Sequence, residues 1–182
     1  MSKKQVVDNN RESTDCDVID FTLSLSLGAH SLRFFDPIPI LMQVIDSVPA
    51  LQIHCSRIYT ILSELFSNAL EHGLLHLHST DKSSAQGFHD YYKKRQQALL
   101  NLKEGCIEVH LSFYEDTDGR FLKICMKDSG SGFDVASAFN QESPVYSGRG
   151  LSLLRYLCHT LSFSENGTLC EAVYCWHSNC DR

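Results

Sequence analysis

From Phe21 to Leu27 apolar and polar positions alternate strictly, with Phe21, Leu23, Leu25 and Leu27 set against Thr22, Ser24 and Ser26. A period of two is that of a strand with one buried face. Asp36-Pro37 then offers an N-cap and a proline for the first turn, which predicts a helix from 36 to about 47. The most periodic segment follows. "RIYTILSELFSNALEHG" places apolar residues at 58, 61, 62, 65, 66, 69 and 70, the stripe of an amphipathic helix, and Gly73 stands where a C-cap belongs. On the polar face Glu64, Asn68 and His72 recur every four residues, with Glu71 one position aside, so their side chains line up toward a common point.

Residues 74 to 86 are polar and irregular, and a helical period resumes over about 87–104 through Phe88, Tyr91, Tyr92, Leu99 and Leu102. Lys93, Lys94 and Arg95 give this inserted helix a basic outer face, a pattern more often solvated surface than a phosphate or partner site. Two alternating runs, "CIEVHLSFYE" and "RFLKICMK", flank the turn residues "DTDG" and predict a hairpin. The second run leads into "KDSGSGF". A polar stretch follows, then an apolar helix "LSLLRYLCHTL" opened by glycines, a turn at Asn166-Gly167 and a last strand, "TLCEAVYCWH". The order β-α-α-α-β-β-α-β predicts an α/β two-layer sandwich, with helices packed on one face of a mostly antiparallel mixed sheet.

Composition narrows the classes. The 182 residues, 43% of them hydrophobic, suffice for one core, here taken as residues 18–178 after a polar tail over 1–17. Sixteen basic residues against 22 acidic ones give a net charge of −6, which argues against a nucleic-acid partner. There is no apolar run long enough for a membrane span and no signal-peptide core, so a cytoplasmic protein without membrane contact is expected. Eight cysteines without a C-x-x-C pair read as buried free thiols. His72, His76 and His78 lie close in sequence, but Gly73 argues against a helix running through His76, and a metal there is disfavoured.

The remaining signals are polar groups at element ends. Asp128 leaves a strand end, where its carboxylate can accept a hydrogen bond from an exocyclic amine, and Gly130 and Gly132 let the backbone approach a ring. Gly148-Arg149-Gly150 precedes a helix whose N-terminal N–H groups favour a phosphate. Each motif alone occurs in many turns and helix faces; their order makes the set specific.

Glu-x-x-x-Asn on a helix, Asp-x-Gly-x-Gly, Gly-x-Gly before a helix and Gly-Thr before a final strand resemble the Bergerat-type ATP-binding fold of histidine kinase-like ATPases, over about residues 20–176. "SELFSNALEHG" and "GRGLSLLRYL" look most like anti-sigma-factor serine kinases. The resemblance implies ATP and Mg²⁺ as cofactors, with Asn68 coordinating the metal and Glu64 orienting or deprotonating the attacking hydroxyl. It implies that Asp128 reads the adenine amine, flanked by Gly130 and Gly132, with Thr168 supporting the pocket through its hydroxyl. Gly148, Arg149, Gly150 and Leu151 would hold phosphates under a lid over about 134–147. The implied activity is phosphorylation of a serine or threonine on an anti-sigma-factor antagonist protein, with binding of a sigma factor as a second role. A non-catalytic ATP-binding module that engages a partner, and a detached histidine-kinase catalytic domain, are the alternatives. The long 74–104 stretch resembles kinase-like domains fused to response regulators or phosphatases. The sheet edge, the basic helix and the 36–47 helix are candidate surfaces for partner contact or homodimerisation.

Overall fold

The computed structural model describes residues 20–77, 85–117, 119–133, 135 and 149–176. The 1–17 tail and His78 therefore lie outside the described residues, as do Gly148 and all of the 134–147 lid except Val135. Strand β1 (Phe21–Gly28) begins the fold, with its alternation preserved as half-buried and exposed positions. Short α1 (Ala29–Leu32) leads to α2 (Ile38–Ser47), whose first turn is fixed by Pro37 and by the Ile38 N–H donating to the Asp36 carboxylate at 3.0 Å. After α3 (Pro49–Gln52), α4 (Cys55–Ser67) buries Ile58, Ile61, Leu62, Leu65 and Phe66. The inserted helix α5 (Ala85–Asn101), the hairpin β2 (Cys106–Asp116) and β3 (Gly119–Asp128), α6 (Arg149–Leu157), β4 (Thr160–Ser164) and β5 (Leu169–Trp176) complete it.

The five strands form one sheet in the order β1-β2-β3-β5-β4, and every pairing is antiparallel. The expected mixed sheet is thus corrected to an all-antiparallel one. β4 is the reason: the apolar run expected to stay helical to Leu161 ends as helix at Leu157, and Thr160 to Ser164 pair with β5. "TLSFS" alternates, but its five residues are too short to stand out from the helical stripe before them. Ile107, Val109, Leu111, Leu122, Ile124, Met126, Ala172 and Tyr174 line one side of the sheet and share a core with α2, α4 and Leu154 of α6. Apolar side chains on facing layers leave water together, which is the main force holding such a two-layer fold.

Two further expectations change. Gly73 does not end the α4 helix; the chain continues as a π-helix over Asn68–Leu74, with Leu75 N–H bonded to Leu70 O at 2.9 Å. And Cys175 is disulfide-bonded, while Cys55, Cys106, Cys125, Cys158 and Cys170 are free. Cys175 stands near the end of β5 on the side opposite buried Tyr174, where it can be reached from outside the core. Cys170 faces inward, and burial pushes its thiol up to about 12.

Candidate functional site

The site is built along the helix formed by α4 and its π extension. At Asn68 the backbone N–H still bonds to the carbonyls of Glu64 and Leu65, and the wider closure follows, with Leu75 N–H reaching back five residues to Leu70 O. Widened turns of this kind recur at functional sites because they displace side chains from the regular stripe. Glu64 and Asn68 remain one helical turn apart, and both are half-buried. His72 leaves the line expected for it. Its Nδ1 is 2.5 Å from Leu77 O, so it closes the chain after the π-helix. Glu71 is 5% exposed; its Oε1 accepts from Arg95 Nε at 2.8 Å and its Oε2 accepts from the Tyr91 hydroxyl. Arg95 therefore lies inward against Glu71, not on the solvated basic face expected of it.

Asp128, the last residue of β3, is 8% exposed. Burial raises its carboxyl above the usual carboxylate range, and the Gly130 N–H and the nearby His76 pull it partly back. The Gly130 N–H donates to Oδ1 at 2.8 Å. The Asp128 N–H donates to Thr168 O at 2.9 Å, joining the strand end to the turn before β5. Ser129 extends the β2 ladder by one step, with its N–H bonded to Cys106 O and its hydroxyl accepting from Cys106 N–H at 2.9 Å.

Glycines set how closely these parts meet. A Cβ on Gly73 would stand 2.5 Å from Asp128 Oδ1, and one on Gly130 only 2.2 Å from Gly73 O. Gly132 has φ +74°, and a Cβ there would be 2.0 Å from Asn166 O, a contact of backbone with backbone. Phe133 N–H donates to that same Asn166 carbonyl at 2.9 Å. Nine residues back along the helix from Gly73 stands Glu64, whose Oε2 would be 2.4 Å from a Cβ on Gly150. The start of α6 is thereby placed directly on the Glu64 carboxylate. Leu151 follows half-buried.

The structure brings together Glu64 with Gly150, and Gly73 with Asp128, Gly130, Gly132 and Thr168. Thr168 enters through its carbonyl and methyl; its hydroxyl donates to Glu165 O at 2.8 Å and so closes its own turn. Arg149 opens α6 by its backbone. Sequence reading missed Gly73 as part of the site and Tyr91 as its support. The signal for Tyr91 was its four-residue spacing from Arg95, which puts both on one face of α5.

Among the described residues no group of three or more His, Cys, Asp or Glu is arranged to hold a metal. No helix of the described residues is long and apolar enough to cross a membrane. No protein-family model matches the chain, and no curated protein matches it significantly.

Proposed function

We propose that this chain adopts the Bergerat-type ATP-binding fold and acts as an ATP- and Mg²⁺-dependent protein serine/threonine kinase of the anti-sigma type. The observation that carries the reading is the placement of two distinct polar stations on one continuous helix. Glu64 meets the start of α6, and nine residues on Gly73 meets Asp128. At 1.5 Å per residue this is roughly 13 Å, a length suited to an extended nucleotide with its base at Asp128 and its last phosphate near Glu64.

The chemistry follows from residue types. The buried Asp128 carboxylate accepts from an exocyclic amine, and the missing side chains at 73, 130 and 132 let the backbone close around that acid. The first N–H groups of α6, from Gly150 and Leu151, face negative charge favourably. Asn68 supplies an amide oxygen suited to a hard cation, and Mg²⁺ when bound would neutralise charge on the phosphates. In this reading Glu64 orients a substrate serine or threonine hydroxyl and takes its proton as the oxygen attacks the γ-phosphorus, while the bond to the β-phosphate breaks and ADP departs. A small antagonist protein presenting that hydroxyl is the proposed substrate, and a sigma factor the proposed second partner.

The test is incubation with γ-labelled ATP, Mg²⁺ and a candidate antagonist protein, followed by mapping of the labelled residue. Phosphoserine or phosphothreonine that disappears in Glu64→Gln supports the kinase. ATP binding without transfer would replace it with a non-catalytic ATP-binding module, and label on a histidine would replace it with a histidine-kinase catalytic domain.

A further inference from the structure

We propose that Glu71 is a positioning residue, clamped by Tyr91 and Arg95 of α5, which holds the 68–74 turn and through it the Asn68 amide. The inference rests on the metal role proposed above for Asn68. A carboxylate taken out of water is tolerated only when its oxygens are matched by donors. Here both oxygens are committed, Oε1 to Arg95 and Oε2 to Tyr91, and both donors come from the one inserted helix. Tyr91 is 0% exposed, so its hydroxyl is set by packing as well as by the carboxylate. Glu71 is also a backbone anchor, since its carbonyl accepts from Leu77 N–H at 2.8 Å.

Asn68 opens the same π-helical segment three residues earlier. A return to regular α-helical closure would turn the following residues by up to about 100°, one residue's worth of rotation, and carry the carboxylate off its partners. The clamp and the widened turn are therefore one structural state. Releasing α5 would take the Tyr91 and Arg95 donors from a buried carboxylate, and the turn that carries Asn68 would have to rearrange to bring that carboxylate nearer to water. The inserted helix acquires a task by this route: it is a brace behind the metal-facing turn.

The test uses the whole chain with Tyr91→Phe, which keeps the ring and removes the hydroxyl, and Arg95→Met, with Arg95→Lys as the conservative control. Amide exchange over residues 68–74 is measured without nucleotide, against β2–β3 amides as a check that the fold persists. ATP affinity is then measured with Mg²⁺ and with chelator. Expected in both disruptive variants are exchange about tenfold faster in 68–74 alone, and a Mg²⁺-dependent gain in ATP affinity reduced about tenfold with Mg²⁺-free affinity unchanged, the size typical of losing a supporting partner behind a metal ligand. Arg95→Lys should restore most of both. Unchanged exchange, or a loosened turn with the Mg²⁺ gain intact, overturns the inference. A wild-type chain that gains nothing from Mg²⁺ overturns it too, by removing the role of Asn68; that failure is distinguishable because the exchange measurement needs no nucleotide.

Discussion

The backbone of Gly73 and the carboxylate of Asp128 approach so closely that a Cβ at position 73 would lie 2.5 Å from Oδ1 and 2.6 Å from Cγ. A helix therefore rests its bare backbone on a buried acid that comes from the far end of a strand. Gly130 completes the contact, because its own Cβ would collide with Gly73 O at 2.2 Å. Two glycines 57 positions apart are thus required by one another and by the acid between them.

Gly73→Ala separates this packing requirement from helix propensity. Propensity alone favours alanine inside a helix by about 1 kcal/mol. The clash with Asp128 reverses the sign, and a loss of about 1–3 kcal/mol is expected from forcing a methyl into a filled space. Urea denaturation of the two proteins decides it; a stabilised variant would mean that the helix and the strand end are not in contact.

Gly150→Ala tests the contact of α6 with Glu64. The colliding atom is the tip of a flexible side chain, Glu64 Oε2, so the fold should tolerate the methyl with a melting temperature close to that of the wild type. The displaced carboxylate should lower kcat for phosphoryl transfer by about tenfold or more while leaving ATP affinity nearly unchanged. A normal kcat would remove the proposed link between α6 and Glu64.

Asp128 predicts a pH dependence. Burial raises its folded-state carboxyl above the ordinary 3.8, against the smaller lowering effects of Gly130 and His76. The folded chain then holds a proton that the unfolded chain has released, so this group's contribution to stability falls as pH rises from the ordinary value through the raised one. Nucleotide affinity should move the opposite way over the same window, since the ionised carboxylate is the stronger acceptor for an amine. Calorimetric titration with ATP from about pH 4 to 7 should show affinity rising and then levelling. Asp128→Asn should bind weakly with a flat profile, and a flat profile in the wild type would remove Asp128 from the base-reading role.

Asn68→Ala and Glu64→Gln should divide binding from chemistry. The first should abolish the Mg²⁺-dependent part of ATP binding with the fold intact, as followed by circular dichroism and titration. The second should bind ATP normally and lose transfer. Equal effects of both on Mg²⁺-dependent affinity would show that the two side chains do not have separate tasks.

What was legible in the sequence is what depends on near neighbours. The strict alternation of β1, the stripe of α4, the Asp36-Pro37 start of α2 and the turn residues of the β2–β3 hairpin each state a local preference strong enough to read directly. The polar motifs were legible for the same reason: Asp128, Gly130 and Gly132 interrupt a strand pattern, and Glu64 and Asn68 recur at helical spacing opposite an apolar stripe. β4 was not, because five alternating residues following a helix carry less signal than the helix itself.

The rest was decided by contacts between distant residues. Gly73 looked like a cap because a glycine at a helix end usually is one; its true constraint is the Asp128 carboxylate, which arrives 55 positions later. Arg95 looked like one of three solvated cations, and only the buried Glu71 turns it inward. The change to a π-helix at Asn68 has no periodic signature of its own, because hydrogen-bond closure depends on what the segment is packed against. The sequence by itself determined the longer elements and where along them the polar groups stand. Only the tertiary structure decided which of those groups meet, since close approach and the pairing of buried charge are properties of the packed whole.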